Sequence, residues 1–71
     1  MVKPTRVTNS LRAVREAQQL TQADVARRVG VTRQTLIAIE QGKYSPTLEL
    51  AFQLARVFGA TLDELFHYPE D

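Results

Sequence analysis

Thr21-Gln22-Ala23-Asp24-Val25-Ala26-Arg27-Arg28-Val29-Gly30-Val31-Thr32-Arg33-Gln34-Thr35-Leu36-Ile37-Ala38-Ile39-Glu40-Gln41-Gly42 decides the fold. The stretch holds two complete helix signatures end to end. Thr21 followed three residues later by Asp24 is a capping-box-like start, with Asp in place of the usual Glu. Val25, Ala26 and Val29 then recur at helical spacing, and Gly30 stands where a C-cap glycine belongs. Thr32 is a second N-cap residue, Leu36 and Ile39 are the inward positions of the next helix, and Gly42 stops it. The spacing predicts helices over 22–29 and 33–41, joined only by Gly30-Val31-Thr32. Ala26 is small enough to let the two helices cross closely, and a glycine at 30 accepts the positive φ that so short a turn requires.

The same punctuation continues on both sides. Asn9 or Ser10 can cap a first helix over 10–19, with Leu11, Val14 and Ala17 at helical spacing and Leu20 closing the turn. After the loop Lys43-Tyr44-Ser45-Pro46, Thr47 caps a fourth helix over 48–58. Its apolar set is broad: Leu48, Leu50, Ala51, Leu54, Ala55, Val57 and Phe58. Gly59 ends it, and Thr61-Leu62-Asp63-Glu64 is a full capping box for a short fifth helix carrying Leu65 and Phe66. No segment alternates with a period of two, so the expected fold is all-α, a compact five-helix domain. It spans residues 9–67, with an N-terminal arm over 1–8, read as flexible, and a tail over 68–71; fraying is expected from His67 onward.

Composition narrows the function. The chain has 71 residues, one domain at most, and 44% of them are hydrophobic, enough for one core but not for a core plus a deep substrate pocket. It has no cysteine, which excludes disulfides, thiolate metal sites and cysteine nucleophiles, and a single histidine, His67, read as a surface residue. No paired carboxylates or metal cluster suggest themselves, so the expectation is a binding module and not an enzyme, with no cofactor. Glu49, Asp63 and Glu64 read as helix N-terminal charges favoured by the macrodipole. No apolar run reaches the roughly 20 residues needed to span a bilayer, and no signal-like stretch opens the chain; a cytoplasmic protein without a membrane partner is expected. The net charge of +1 hides an asymmetry: residues 1–43 hold eight basic against three acidic residues, and residues 44–71 hold one against five. A basic half and an acidic half suggest a polyanion on one face and something else on the other.

Two short capped helices joined this tightly read as a helix-turn-helix, the alternative being an αα-hairpin packed for stability only. Thr21-Gln22-Ala23-Asp24-Val25-Ala26, Gly30-Val31-Thr32-Arg33-Gln34-Thr35-Leu36 and Ile39-Glu40-Gln41-Gly42-Lys43-Tyr44, with Pro46 and Leu48, resemble the Xre family, the phage-repressor/Cro-like helix-turn-helix transcriptional regulators. The resemblance covers about residues 9–66 and is closest to minimal single-domain members. It implies double-stranded DNA as partner, with the third helix in the major groove of a palindromic operator, a homodimer, and a repressor by operator occlusion.

In that docking mode the start of the third helix faces base edges. Thr32, Arg33, Gln34, Ile37 and Ala38 are then the base-reading candidates. Arg33 can take guanine O6 and N7, Gln34 can take adenine N6 and N7, and Ile37 or Ala38 can touch a thymine methyl. Gln22, Thr35, Lys43, Tyr44, Asn9 and Arg12 are the phosphate candidates, and the resemblance also gives Gln22 a second role, bracing the first polar residues of the recognition helix. Arg15 and Glu40 are read, through the same resemblance, as a buried structural ion pair. Arg27 and Arg28 receive no role, and Lys3 and Arg6 in the arm could follow the DNA backbone or enter a minor groove.

The apolar surplus in the acidic half suggests a dimer interface at Leu50, Leu54, Val57, Leu62, Leu65, Phe66 and Tyr68. A two-fold dimer there would set two recognition helices about 34 Å apart, one DNA turn. The competing reading is an antitoxin-like module whose main partner is a protein, a toxin. No small-molecule effector is expected, since 71 residues leave no room for a second domain to hold one.

Overall fold

The computed structural model describes residues 5–70. The order of elements is β1 (Thr8–Asn9), α1 (Leu11–Ala17), α2 (Gln22–Val29), α3 (Arg33–Glu40), α4 (Leu48–Phe58), α5 (Leu62–Leu65) and β2 (Phe66–His67). Five helices surround one core, and the all-α expectation holds with one addition. β1 and β2 pair antiparallel, Thr8 opposite His67 and Asn9 opposite Phe66. Thr8, assigned to the arm, and His67, assigned to a fraying end, are therefore tied together, and Ser10 N–H adds a bond to the Leu65 carbonyl at 2.8 Å. The Nε2 of His67 lies 3.1 Å from the Ser10 hydroxyl.

Each helix from α2 to α5 starts at a threonine whose hydroxyl accepts the backbone N–H three residues on: Thr21 from Asp24, Thr32 from Thr35, Thr47 from Leu50, Thr61 from Glu64. At α2 and α5 the third residue returns the bond, so both capping boxes close. Gly30 and Gly59 end α2 and α4 in the left-handed region at φ 76° and 63°. There a glycine avoids the roughly 1–2 kcal/mol that a Cβ costs in the left-handed region. α1 is shorter than the 10–19 expected and α3 stops at Glu40, one residue early. Ser10 makes no side-chain cap; the Asn9 side-chain oxygen instead accepts the Leu11 N–H at 3.1 Å.

The core consists of Leu11, Val25, Ala26, Val29, Leu36, Ile39, Leu54, Phe58 and Leu65. It sits where α2, α3 and α4 meet, with α1 and α5 closing two sides. Ala26 lies at the α2–α3 crossing, and burying Leu36 and Ile39 fixes which side of α3 faces out.

This core corrects the dimer reading. Leu54 and Leu65 are fully buried, so neither can meet a second chain: α4 turns Leu54 onto the core with Ala51 and Phe58, and α5 does the same with Leu65. Leu50, Val57 and Phe66 are half-buried and pack against the core edge. Much of the surplus is thus consumed within one chain. Of that set only Tyr68 is well exposed, and the Arg6 guanidinium lies 5.4 Å from its ring centroid, a cation–π distance. Lys3 lies outside the described residues.

Candidate nucleic-acid interface

The first turn of α3 presents an exposed polar surface. Thr32, Arg33 and Gln34 are exposed, while Thr35, Ile37 and Ala38 are half-buried. The helix cannot roll to hide them, because Leu36 and Ile39 lock its other side into the core. The Thr32 and Thr35 hydroxyls lie 2.9 Å apart, and the Tyr44 hydroxyl lies 3.5 Å from the Thr35 carbonyl, at the far limit of a hydrogen bond. Lys43 and Tyr44 are exposed on the loop after α3.

Behind this surface lies a ladder of polar groups. Arg15 donates from Nε to Glu40 Oε2 at 2.8 Å and from Nη2 to Oε1 at 3.3 Å, and from Nη1 to the Leu20 carbonyl at 3.0 Å. Both side chains are nearly buried, at 10% and 4% exposure. The Glu40 carboxylate holds the Arg15 guanidinium above its ordinary pKa, its hydrogen bonds outweighing the cost of burial. Glu40 Oε1 also accepts from Gln22 Nε2 at 3.3 Å, and Gln22 Oε1 faces Arg33 Nη2 at 3.5 Å. α1, the start of α2 and both ends of α3 are therefore linked through four side chains. Gln22 has its amide engaged on both sides within the chain, an arrangement that braces Arg33.

A groove of about 670 Å³ runs along this ladder and brings together Arg12, Gln22, Arg33 and Ile37. Gln19 and Gln41 also line it; sequence reading gave them no role, since one falls in a turn and the other at a helix end. Arg12 is exposed and reaches Glu16 one turn on at 3.5 Å. Asn9 stands apart. Its amide nitrogen donates to the Ile39 carbonyl at 2.8 Å, so both polar ends of the side chain are used inside the protein. Arg27 pairs with Asp24 at 3.1 Å, and no group of three or more His, Cys, Asp or Glu residues able to hold a metal occurs among the described residues. No helix among them is long and apolar enough to cross a membrane.

A short α2–α3 turn, a locked α3 and an exposed polar first turn define a helix-turn-helix domain of the transcriptional-regulator type. The chain belongs to the helix-turn-helix family, in its Xre/Cro-like group: the family profile matches residues 11–65. An uncharacterized HTH-type transcriptional regulator of Methanocaldococcus jannaschii is 49% identical over 63 residues, 89% of this chain and 96% of that one. The cryptic phage CTXphi transcriptional repressor RstR of Vibrio cholerae is 36% identical over 58 residues, 82% of this chain and 52% of the repressor. A crystal structure from Bacteroides fragilis shares the fold at a TM-score of 0.79 and 20% identity, covering 86% of this chain and 98% of that one.

Proposed function

We propose that the protein is a sequence-specific double-stranded DNA-binding repressor, acting as a homodimer on a palindromic operator with α3 in the major groove. The observation that carries this reading is the exposed polar first turn of α3, where Arg33 Nη2 lies 3.5 Å from Gln22 Oε1, at the far limit of a hydrogen bond. A guanidinium on that exposed turn is placed for a bidentate contact with guanine, worth about 1–3 kcal/mol of discrimination. Thr32, Gln34, Ile37 and Ala38 complete the base-reading surface. Lys43, Tyr44, Thr35 and Arg12 form its phosphate margin, with Gln22 behind them engaged by Glu40 and Arg33. Repression is supported by the relation to RstR, named as a transcriptional repressor. Nothing in this reading calls for catalysis or a cofactor, and the site of action is the cytoplasm, where the DNA is.

The test is selection of bound duplexes from a random pool at about 50 and 200 mM salt. Recovery of a short palindrome with half-sites one helical turn apart is expected. Binding that is salt-sensitive but blind to sequence would overturn the reading and favour the protein-partner alternative.

A further inference from the structure

The outer face of α4 leaves two large apolar side chains in the open. Leu48 and Phe52 are 68% and 53% exposed, although Ala51, Leu54 and Phe58 on the same helix face the core. Glu49, Gln53 and Arg56 share the exposed side with Phe52, on the stripe opposite the buried one. The face has a large end and a small end. Leu48 and Phe52 are the large side chains of its first half, Ala55, Gly59 and Ala60 the small residues of its second, and a groove of about 670 Å³ lined by all of these runs along the face. Its charges are likewise split, Glu49 in the first turn and Arg56 in the last. Among the described residues neither makes an ion pair within the chain.

We propose that this face is the homodimer contact, with two α4 helices packed antiparallel about a two-fold axis at the level of Phe52 and Gln53. The proposal rests on the homodimer reading above and names its surface. Glu49 and Arg56 are equidistant from that axis, seven residues or about 10.5 Å apart along the helix. The two-fold therefore sets each Glu49 against Arg56 of the second copy. Phe52 meets its own copy at the axis, and each Leu48 enters the other chain's groove over Ala55 and Gly59. The large end and the small end of the face lie at matched distances from one point, which an isologous contact requires and a contact with an unrelated protein does not. Charge complementarity agrees: in the antiparallel pair both cross-contacts are opposite in sign, and in a parallel pair both would be like.

The experiment is a charge exchange read by sedimentation equilibrium on the full chain. Glu49→Arg and Arg56→Glu each create two like-charge contacts, so each variant alone is expected to associate at least about tenfold more weakly than wild type. An equimolar mixture of the two is expected to recover association near the wild-type level, because in the mixed dimer both contacts are again opposite. Phe52→Ala is expected to weaken association without altering the helical circular dichroism. Wild type that stays monomeric from micromolar to millimolar concentration would overturn the homodimer reading and this surface with it. A dimeric wild type whose association ignores all three variants would overturn this surface alone. Weak single variants without recovery in the mixture would overturn the antiparallel register.

Discussion

Arg15 on α1 and Glu40 at the end of α3 face each other through two hydrogen bonds in a site nearly closed to water. The pair ties the recognition helix to a helix outside the helix-turn-helix unit. Removing one partner leaves a buried charge alone, at a cost of about 3–5 kcal/mol. A domain of this size has a total stability on the order of 5–10 kcal/mol, so Arg15→Ala or Glu40→Ala is expected to leave the protein barely folded at room temperature. The double variant Arg15→Met, Glu40→Leu is expected to be more stable than either single variant. Urea denaturation of the set checks this; a double variant as unstable as the singles would contradict it.

Arg33 is exposed, its Nη2 3.5 Å from Gln22 Oε1, so its loss leaves the core intact and tests the proposed base-reading role. Arg33→Ala is expected to reduce affinity for the selected duplex by about tenfold or more, and for random duplex much less. Gln22→Ala is expected to move binding the same way by a smaller amount. Competition binding against random DNA measures both. An equal loss on both DNAs would reduce Arg33 to a phosphate or structural residue.

Lys43 is exposed on the loop after α3; its backbone N–H donates to the Ala38 carbonyl at 3.0 Å, and its ammonium makes no hydrogen bond or ion pair among the described residues. Lys43→Ala is expected to weaken binding on every sequence alike and to lower the slope of log K against log salt by about one unit. An unchanged slope would remove Lys43 from the phosphate contacts.

Asp24 accepts the Thr21 backbone N–H at 3.1 Å, and Glu64 accepts that of Thr61 at 3.0 Å. These backbone bonds, with the threonine hydroxyls second, hold both carboxyls below their ordinary values of 3.8 and 4.5. Because folding lowers both pKa values, the stabilisation is complete above the unfolded values and disappears as pH falls through the folded ones. Stability is therefore expected to decline below about pH 4. Asp24→Asn with Glu64→Gln keeps the acceptor oxygens and removes the titration. That variant is expected to show a shallower acid limb in urea unfolding across pH, and an unaltered limb would assign acid sensitivity elsewhere.

The local code made the helix-turn-helix legible. Thr21, Thr32, Thr47 and Thr61 start helices, and Gly30, Gly42 and Gly59 stop them in the left-handed region. α1 was misjudged for the complementary reason. It ends through a bond from Leu20 N–H to the Arg15 carbonyl, with Gln19 at φ 59° where glycine is usual. A glutamine carries no such signal. The β1–β2 pair joins residues nearly sixty positions apart, and two-residue strands are too short for a period to appear. Leu54 and Leu65 were misplaced because periodicity names an apolar side without saying how many neighbours compete to cover it. Phe52 escaped notice because it lies off the stripe that points to the core, and only exposure marks it.

Asn9 distinguishes two roles that its sequence position left open. Its oxygen accepts from Leu11 N–H, and its nitrogen donates to the Ile39 carbonyl in the last turn of α3. The side chain thus both starts α1 and anchors the end of the recognition helix. A phosphate contact would compete with that anchor. Asn9→Ala is expected to cost about 1–2 kcal/mol of stability through the two lost bonds. Affinity for the selected duplex, corrected for the folded fraction, is expected to stay the same. Urea unfolding combined with binding at a temperature where the variant is fully folded separates the effects. A uniform loss of affinity across sequences, with stability unchanged, would return Asn9 to the phosphate margin and make its bond to Ile39 incidental.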